Sequence, residues 1–163
     1  MTDLTTLLER LHDSGVEFIL VGGLAAVSQG APVTTFDVDI VHRIDDVNIA
    51  RLLALLTSLN ARHRGQGDRI LRPTAGDLAA GGHCLLLTDL GPLDVLGKIE
   101  GGRRYEELLG DTVGIPFRGR TIRVVKLALL VELKRGSKLP VDRERLVVLE
   151  ATLRRLQGKE RPE

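Results

Sequence analysis

The 163-residue chain is almost without aromatic side chains: no Trp, one Tyr and three Phe, 2% of the whole. Single-stranded nucleic acid is usually held on successive aromatic faces, so that mode of binding is excluded, and the core has to be aliphatic. One cysteine, Cys84, rules out an internal disulfide and fits a reducing compartment. It sits in the apolar run Cys84-Leu85-Leu86-Leu87, where a buried thiol is expected rather than a nucleophile. No apolar run approaches the ~20 residues of a membrane span, and no basic-then-apolar signal opens the chain. The expectation is a cytoplasmic protein with no membrane partner. Four histidines are scattered without metal-ligand spacing, which argues against zinc; His42 alone follows an acidic strand closely enough to line a cleft there.

What is present is ordinary for a globular chain: 43% hydrophobic and 28% charged residues. The length predicts a single domain over residues 1–163. The net charge of +1 is unevenly placed. Residues 1–117 hold 10 Lys and Arg against 16 Asp and Glu, a balance of −6, and residues 118–163 hold 13 against 6, a balance of +7. An acidic first part and a basic second part suit a metal and a polyanion respectively; a solvated Arg-rich helix surface is the plainer alternative.

Periodicity sets out the elements. Leu4, Leu7, Leu8 and Leu11 form a helical stripe over Thr2–His12, with Thr2 as N-cap. Residues 17–21 read as a buried strand, Gly22-Gly23 as a turn and residues 24–29 as a short helix ended by Gly30. A second strand covers residues 36–41, with Phe36, Val38 and Ile40 on one face and Asp37 and Asp39 on the other. A helix capped at Asp45-Asp46 runs to about residue 59. Residues 61–82 read as an Arg-rich, glycine-punctuated loop with one helical turn near Asp77. Strands at 84–87 and 93–96 form a hairpin, residues 104–109 a short helix, and 112–117 with 121–124 a second hairpin. Helices at 126–135 and 141–156 close the chain, so residues 126–157 form a C-terminal helical part, and residues 159–163 are expected to fray. The class is α/β (α+β): a mixed β-sheet with flanking helices and a C-terminal helical pair.

The chemistry concentrates in one interval. Asp37 and Asp39 follow Gly23 by fourteen and sixteen positions, and residues two apart on a strand share a face. Two carboxylates on one face repel, which a hard divalent cation relieves, and a glycine pair opening a helix offers bare N–H groups to a phosphate. Asp94, in a strand otherwise made of Leu93, Val95 and Leu96, is a third candidate. A carboxylate there needs a metal, a basic partner or solvent, because an unpaired buried charge costs several kcal/mol (order of magnitude). Three such aspartates from adjoining strands are able to hold two Mg²⁺ ions, the arrangement that supports in-line phosphoryl displacement. Each residue also has a plainer reading: Asp37 and Asp39 as the solvent face of a strand, Asp94 as a turn carboxylate, Lys134 and Lys138 as neutralisers of a helix C-terminus, and Arg62, Arg64, Arg69 and Arg72 as a solvated loop instead of an acceptor contact.

Val21-Gly22-Gly23, thirteen residues, then Asp37-Val38-Asp39-Ile40, with Asp94 later, resembles the nucleotidyltransferases of the DNA polymerase β-like superfamily. Among these the chain is similar to small prokaryotic stand-alone members, including AbiEii-type toxins of type IV toxin–antitoxin systems, through Val21–Ala25 and Thr35–Asp39. Lys134 and Asp142 keep the eight-residue separation of the relatives' late motif, while Phe36 and Leu139 stand where a basic residue is usual, with Lys138 beside the latter. The resemblance implies a sheet of the nucleotidyltransferase type and a Mg²⁺- (or Mn²⁺-) dependent transfer of NMP from NTP, ATP among them, to a hydroxyl of RNA or protein, and a cognate antitoxin as partner. It implies that Asp37 and Asp39 bind metal, that Asp94 completes the metal site or acts as general base, that Gly22 and Gly23 contact the triphosphate, and that Lys134 and Lys138 neutralise it. The rivals are a catalytically silent nucleotide- or partner-binding module of the same fold, and a structural domain with decorative acids.

Overall fold

A computed structural model describes residues 2–160. Helix α1 (Leu4–Asp13) buries Leu7, Leu8 and Leu11. Its cap is Asp3, not Thr2: the Asp3 carboxylate accepts from the Thr6 N–H at 3.0 Å, a bond that Thr2, one residue too early, does not make. Strand β1 (Phe18–Val21) is buried along its whole length and runs straight into α2 (Gly22–Ser28), so the glycine pair forms the first turn of that helix. Strand β2 (Val38–His42) begins one residue after Asp37. Phe36 therefore does not share the core face with Val38 and Ile40; it lies outside the strand and is 76% exposed.

Helix α3 (Asp46–Ser58) is capped by Asp45, which accepts from the Asn48 N–H at 2.8 Å. The buried Asn48 side chain accepts from the Glu17 N–H at 2.7 Å and donates to the Glu17 and Arg43 carbonyls, tying α3 to the strands beneath it. The Arg-rich stretch contains the expected helical turn, α4 (Ala75–Ala79), closed by a Thr74–Asp77 capping box, and also a strand the pattern did not show, β3 (Arg62–His63), paired antiparallel with the next long strand. Strands β4 (His83–Thr88) and β5 (Gly91–Leu96) form the first hairpin. A short α5 (Tyr105–Leu108) precedes the second hairpin, β6 (Thr112–Phe117) and β7 (Arg120–Val125). Helices α6 (Leu127–Arg135) and α7 (Pro140–Glu160) complete the chain. The expected fraying falls partly on residues 161–163, outside the described residues; residues 159 and 160 are helical.

The seven strands make one sheet in the order β3-β4-β5-β2-β1-β7-β6. Parallel β2–β5 and β1–β7 pairs sit among antiparallel neighbours, so the sheet is mixed. Helix α1 packs against α3 and β2, and α3 against α4; α2 packs against β1, β2 and α6, and α6 against α7. One aliphatic core runs from Leu7 to Leu149. Among the described residues no helix is long and apolar enough to cross a membrane.

Towards the β4–β5 edge the sheet is covered on one side. Along β4, Cys84 and Leu86 are buried while His83 and Leu85 are exposed, and along β5, Leu93 and Val95 are buried while Asp94 and Leu96 are half-buried. Strict alternation puts Asp94 and these neighbours on the open side, a consequence of the two-residue period of a strand.

Candidate functional site

Register alone brings the second and third carboxylates together. In the parallel β2–β5 pair, Asp39 lies directly opposite Asp94, and across β2 it lies opposite Val21, the last residue before the glycine pair. Side chains directly opposite on one face are about 5 Å apart, and a one-residue slip would turn Asp39 into the core. Asp37 joins from the bend just before β2. One carboxylate oxygen from each of Asp37, Asp39 and Asp94 lies within 4.8 Å of the others. Three hard, anionic oxygens at that spacing match the ligand preference of Mg²⁺ or Mn²⁺. Among the described residues they are the one group of acidic or thiol and imidazole side chains with such convergence.

The electrostatics follow from crowding. Burial, then a hydrogen bond with Asp94, then the negative charges of Asp37 and Asp94 push the Asp39 carboxyl far above the usual carboxylate range, to about 8, with the Arg64 guanidinium pulling the other way. Arg64 Nη2 donates to Asp94 Oδ1, so of the metal, basic partner or solvent that the Asp94 strand position calls for, a basic partner is present. The Arg64 backbone N–H donates to the Leu85 carbonyl at 2.9 Å, and Leu85 is the residue opposite Asp94 on β4. Arg64 is therefore held by the sheet edge and reaches across β4. The solvated-loop reading fits the exposed Arg62, Arg69 and Arg72 but not this residue.

A cavity of about 310 Å³ opens beside Asp39 and Asp94. Its second side is Gly22 and Gly23 from α2, Lys134 from α6 and Arg145 from α7. Gly22 has φ +70°, and a Cβ there would stand 2.0 Å from Asp39 Oδ2, so only glycine lets the chain turn into α2 beneath that carboxylate. Lys134 donates to Asp142 Oδ1 at 3.1 Å, and the Ser137 hydroxyl to Asp142 Oδ2 at 2.6 Å. Above all the Ser137 bond, and with it Lys134, keeps the Asp142 carboxyl below its ordinary range. The late motif thus fastens the α6–α7 connection and still presents Lys134 to the cavity. Lys138 is exposed on that connection and is not part of the lining, and Leu139 beside it is 61% exposed.

Two functional candidates escaped the sequence. Arg145 lies nearly two helical turns beyond Leu139, where the late basic residue is usual, and an i, i+3 count from Asp142 would have found it on the same helix face. His83, which has no metal-ligand spacing, lines the cavity with the apolar Leu85, Leu96 and Ile99 and with Glu100. His42 moves the other way. It is buried behind the sheet, with Nδ1 3.1 Å from the Leu96 carbonyl and Nε2 2.8 Å from the Leu78 carbonyl, and bridges β5 to α4 instead of lining the cleft.

No family model and no curated protein matches this sequence. Solved structures do match the fold. The chain is similar to the lincosamide antibiotic adenylyltransferase LnuA in its lincomycin-bound form, with 14% identity, TM-score 0.60, and coverage of 91% of this chain and 95% of that one. It is similar to ANT(2″)-Ia in complex with adenylyl-2″-tobramycin, with 16% identity, TM-score 0.57, and coverage of 92% and 89%. An antigenic nucleotidyltransferase-like protein from Paracoccidioides brasiliensis matches with 16% identity, TM-score 0.51, and coverage of 96% and 86%. At these identities the likeness establishes the fold, a mixed α/β sheet of the nucleotidyltransferase type.

Proposed function

We propose that the chain, acting as one nucleotidyltransferase-like unit over residues 1–163 with residues 126–157 as its helical part, transfers an NMP group from an NTP to an acceptor hydroxyl with Mg²⁺ or Mn²⁺. The observation that carries this reading is the meeting of Asp37, Asp39 and Asp94, the last two of which line a cavity together with Gly22, Gly23, Lys134 and Arg145. The three carboxylates would hold the cation, which when bound neutralises phosphate charge and favours ionisation of the attacking hydroxyl. Gly22 and Gly23 leave bare backbone beside the triphosphate, while Lys134 and Arg145 supply positive charge from α6 and α7 beside them. The acceptor oxygen bonds to Pα, the Pα–O bond to the leaving diphosphate breaks, and the hydroxyl proton passes to a carboxylate, Asp94 being the one that faces the open β4–β5 floor.

That floor bears on the acceptor. Leu85, 45% exposed, lines the cavity together with Leu96, Ile99, His83 and Glu100. An aliphatic floor with one acid at its rim suits a compact, partly apolar hydroxyl compound better than an RNA strand, whose phosphates call for a basic track. The two antibiotic-handling proteins of similar fold point the same way. The RNA or protein acceptor and the antitoxin partner of the toxin-like reading rest on Val21–Ala25, Thr35–Asp39, the Lys134–Asp142 spacing and the basic balance of residues 118–163.

Transfer of label from α-labelled NTPs to candidate acceptors with Mn²⁺ or Mg²⁺ tests the proposal, and Asp37→Ala has to abolish it; equal incorporation by the variant removes Asp37 from the site. A second reading, a nucleotide-binding module without turnover, draws on the engagement of Lys134 by Asp142 and of Asp94 by Arg64. Metal-dependent NTP binding with no transfer to any acceptor class would favour it.

A further inference from the structure

The Arg64 side chain occupies Asp94, and this changes what the acidic group can take. We infer that Arg64 is a resident counter-cation of the site that competes with a divalent ion for Asp94, so that the chain holds one such ion, and not two, while Arg64 stays in place. The inference rests on the metal-dependent reading above and goes beyond it in assigning Arg64 and the stoichiometry.

Charge balance and anchoring support it. Fully ionised around a bound cation, the three carboxylates carry three negative charges; Arg64 supplies one positive charge and a single divalent ion supplies two. With Arg64 bound the site is neutral at one ion, and a second ion would add uncompensated positive charge until a polyphosphate arrives. Nor is the contact casual. The Arg64 backbone continues the β3–β4 ladder, whose register pairs Arg62 with Leu87 and His63 with Leu86, and its N–H is bonded to Leu85, the neighbour of Asp94. Both side chains are mostly sheltered, at 31% and 15% exposure, so screening by water weakens the pair less than at an open surface. Asp37 and Asp39 have no such partner: among the described residues neither makes an ion pair with a basic side chain. The two carboxylates open to a cation are therefore these two, and the third has to be released from Arg64.

Mn²⁺ titration of the full chain near neutral pH, read by calorimetry and by the electron spin resonance of unbound Mn²⁺, tests this without turnover. Wild type is expected to bind one Mn²⁺. Arg64→Gln is expected to bind Mn²⁺ about tenfold more tightly, because one charge-assisted hydrogen bond no longer competes for Asp94, or to take up a second ion. Arg64→Lys, which keeps the charge, is expected to return the affinity towards wild type and guards against a folding defect in the glutamine variant. In an Asp94→Asn background, Arg64→Gln is expected to change nothing. Equal or weaker Mn²⁺ binding by Arg64→Gln overturns the inference while leaving the metal site standing. Absence of Mn²⁺ binding from wild type and variants alike overturns both.

Discussion

Replacing Gly22 by alanine isolates the contact on which the site geometry turns. The added Cβ would stand 2.0 Å from Asp39 Oδ2, 2.9 Å from its Cγ and 3.0 Å from its Cβ, at a backbone angle of φ +70°. The left-handed backbone costs an alanine about 1–2 kcal/mol. Clearing the carboxylate forces Asp39 off its rotamer, about 0.5–1.5 kcal/mol more. Together these give about 1.5–3.5 kcal/mol, which for a chain of this length is a fall in melting temperature of about 3–14 °C. Gly23→Ala is the internal control. Its φ is not positive, and the nearest atoms to a new Cβ are Thr35 Oγ1 at 3.0 Å and Thr35 Cβ at 3.1 Å, so Thr35 has to give by a few tenths of an ångström with no backbone strain, and the cost should stay below that of Gly22→Ala.

The carboxylate part of the cost is separable. In Asp39→Ala the Oδ2 and Cγ atoms are gone, so Gly22→Ala made in that background should cost only the backbone strain, a coupling of about 1 kcal/mol in a double-mutant cycle followed by thermal melts without metal. Gly22→Ala with Asp39 present should also lose Mn²⁺ affinity, because the ligand oxygen is the atom displaced. Equal destabilisation in both backgrounds, or a Gly22→Ala melt within about 1 °C of wild type, would refute the account of why glycine stands there.

Other outcomes follow from the same geometry. Asp39 is held at about 8 in the folded state against about 3.9 for an unfolded carboxyl, so the folded state binds the extra proton in between. Metal-free stability should fall as pH rises from about 4 to about 8, Asp39→Asn should flatten that slope, and Mn²⁺ affinity should rise over the same window, all readable from melts with and without the ion; a slope unchanged in Asp39→Asn would contradict the assignment. Arg145→Ala should leave the melting temperature unchanged, since among the described residues Arg145 makes no ion pair or side-chain hydrogen bond, while NTP affinity by calorimetry drops about tenfold because the phosphates are deprived of one cationic partner. Gly97→Ala should destabilise at least as much as Gly22→Ala, because its Cβ would stand 2.4 Å from Gly81 Cα, a backbone neighbour unable to rotate away; a mild melt would show the two segments to be easily parted.

The sequence was most informative where period and register determine position. Asp37 and Asp39 were recognisable as a same-face pair from their spacing, and Asp94 from its apolar neighbours. That they meet is a matter of β2 pairing parallel with β5, a tertiary choice that no local pattern encodes. Phe36 falls outside the strand although it continues the alternation, because a strand end is set by where ladder bonds stop and β2 begins only at Val38. Thr2 lost the cap to Asp3 for the same reason at a helix start. The greater omission was β3, two residues long and hidden in a polar, glycine-rich stretch with no hydrophobic period to reveal it. Its consequence is out of proportion to its length. Those two residues place Arg64 beside Leu85, and Arg64 decides whether Asp94 faces the cavity as an unpaired carboxylate or as half of an ion pair. A short edge strand of weak intrinsic propensity thus supplies the counter-charge to an acidic cluster whose Asp39 and Asp94 sit on inner strands of the sheet, so sequence patterns strong enough to find the acids were too weak to find the residue paired with one of them.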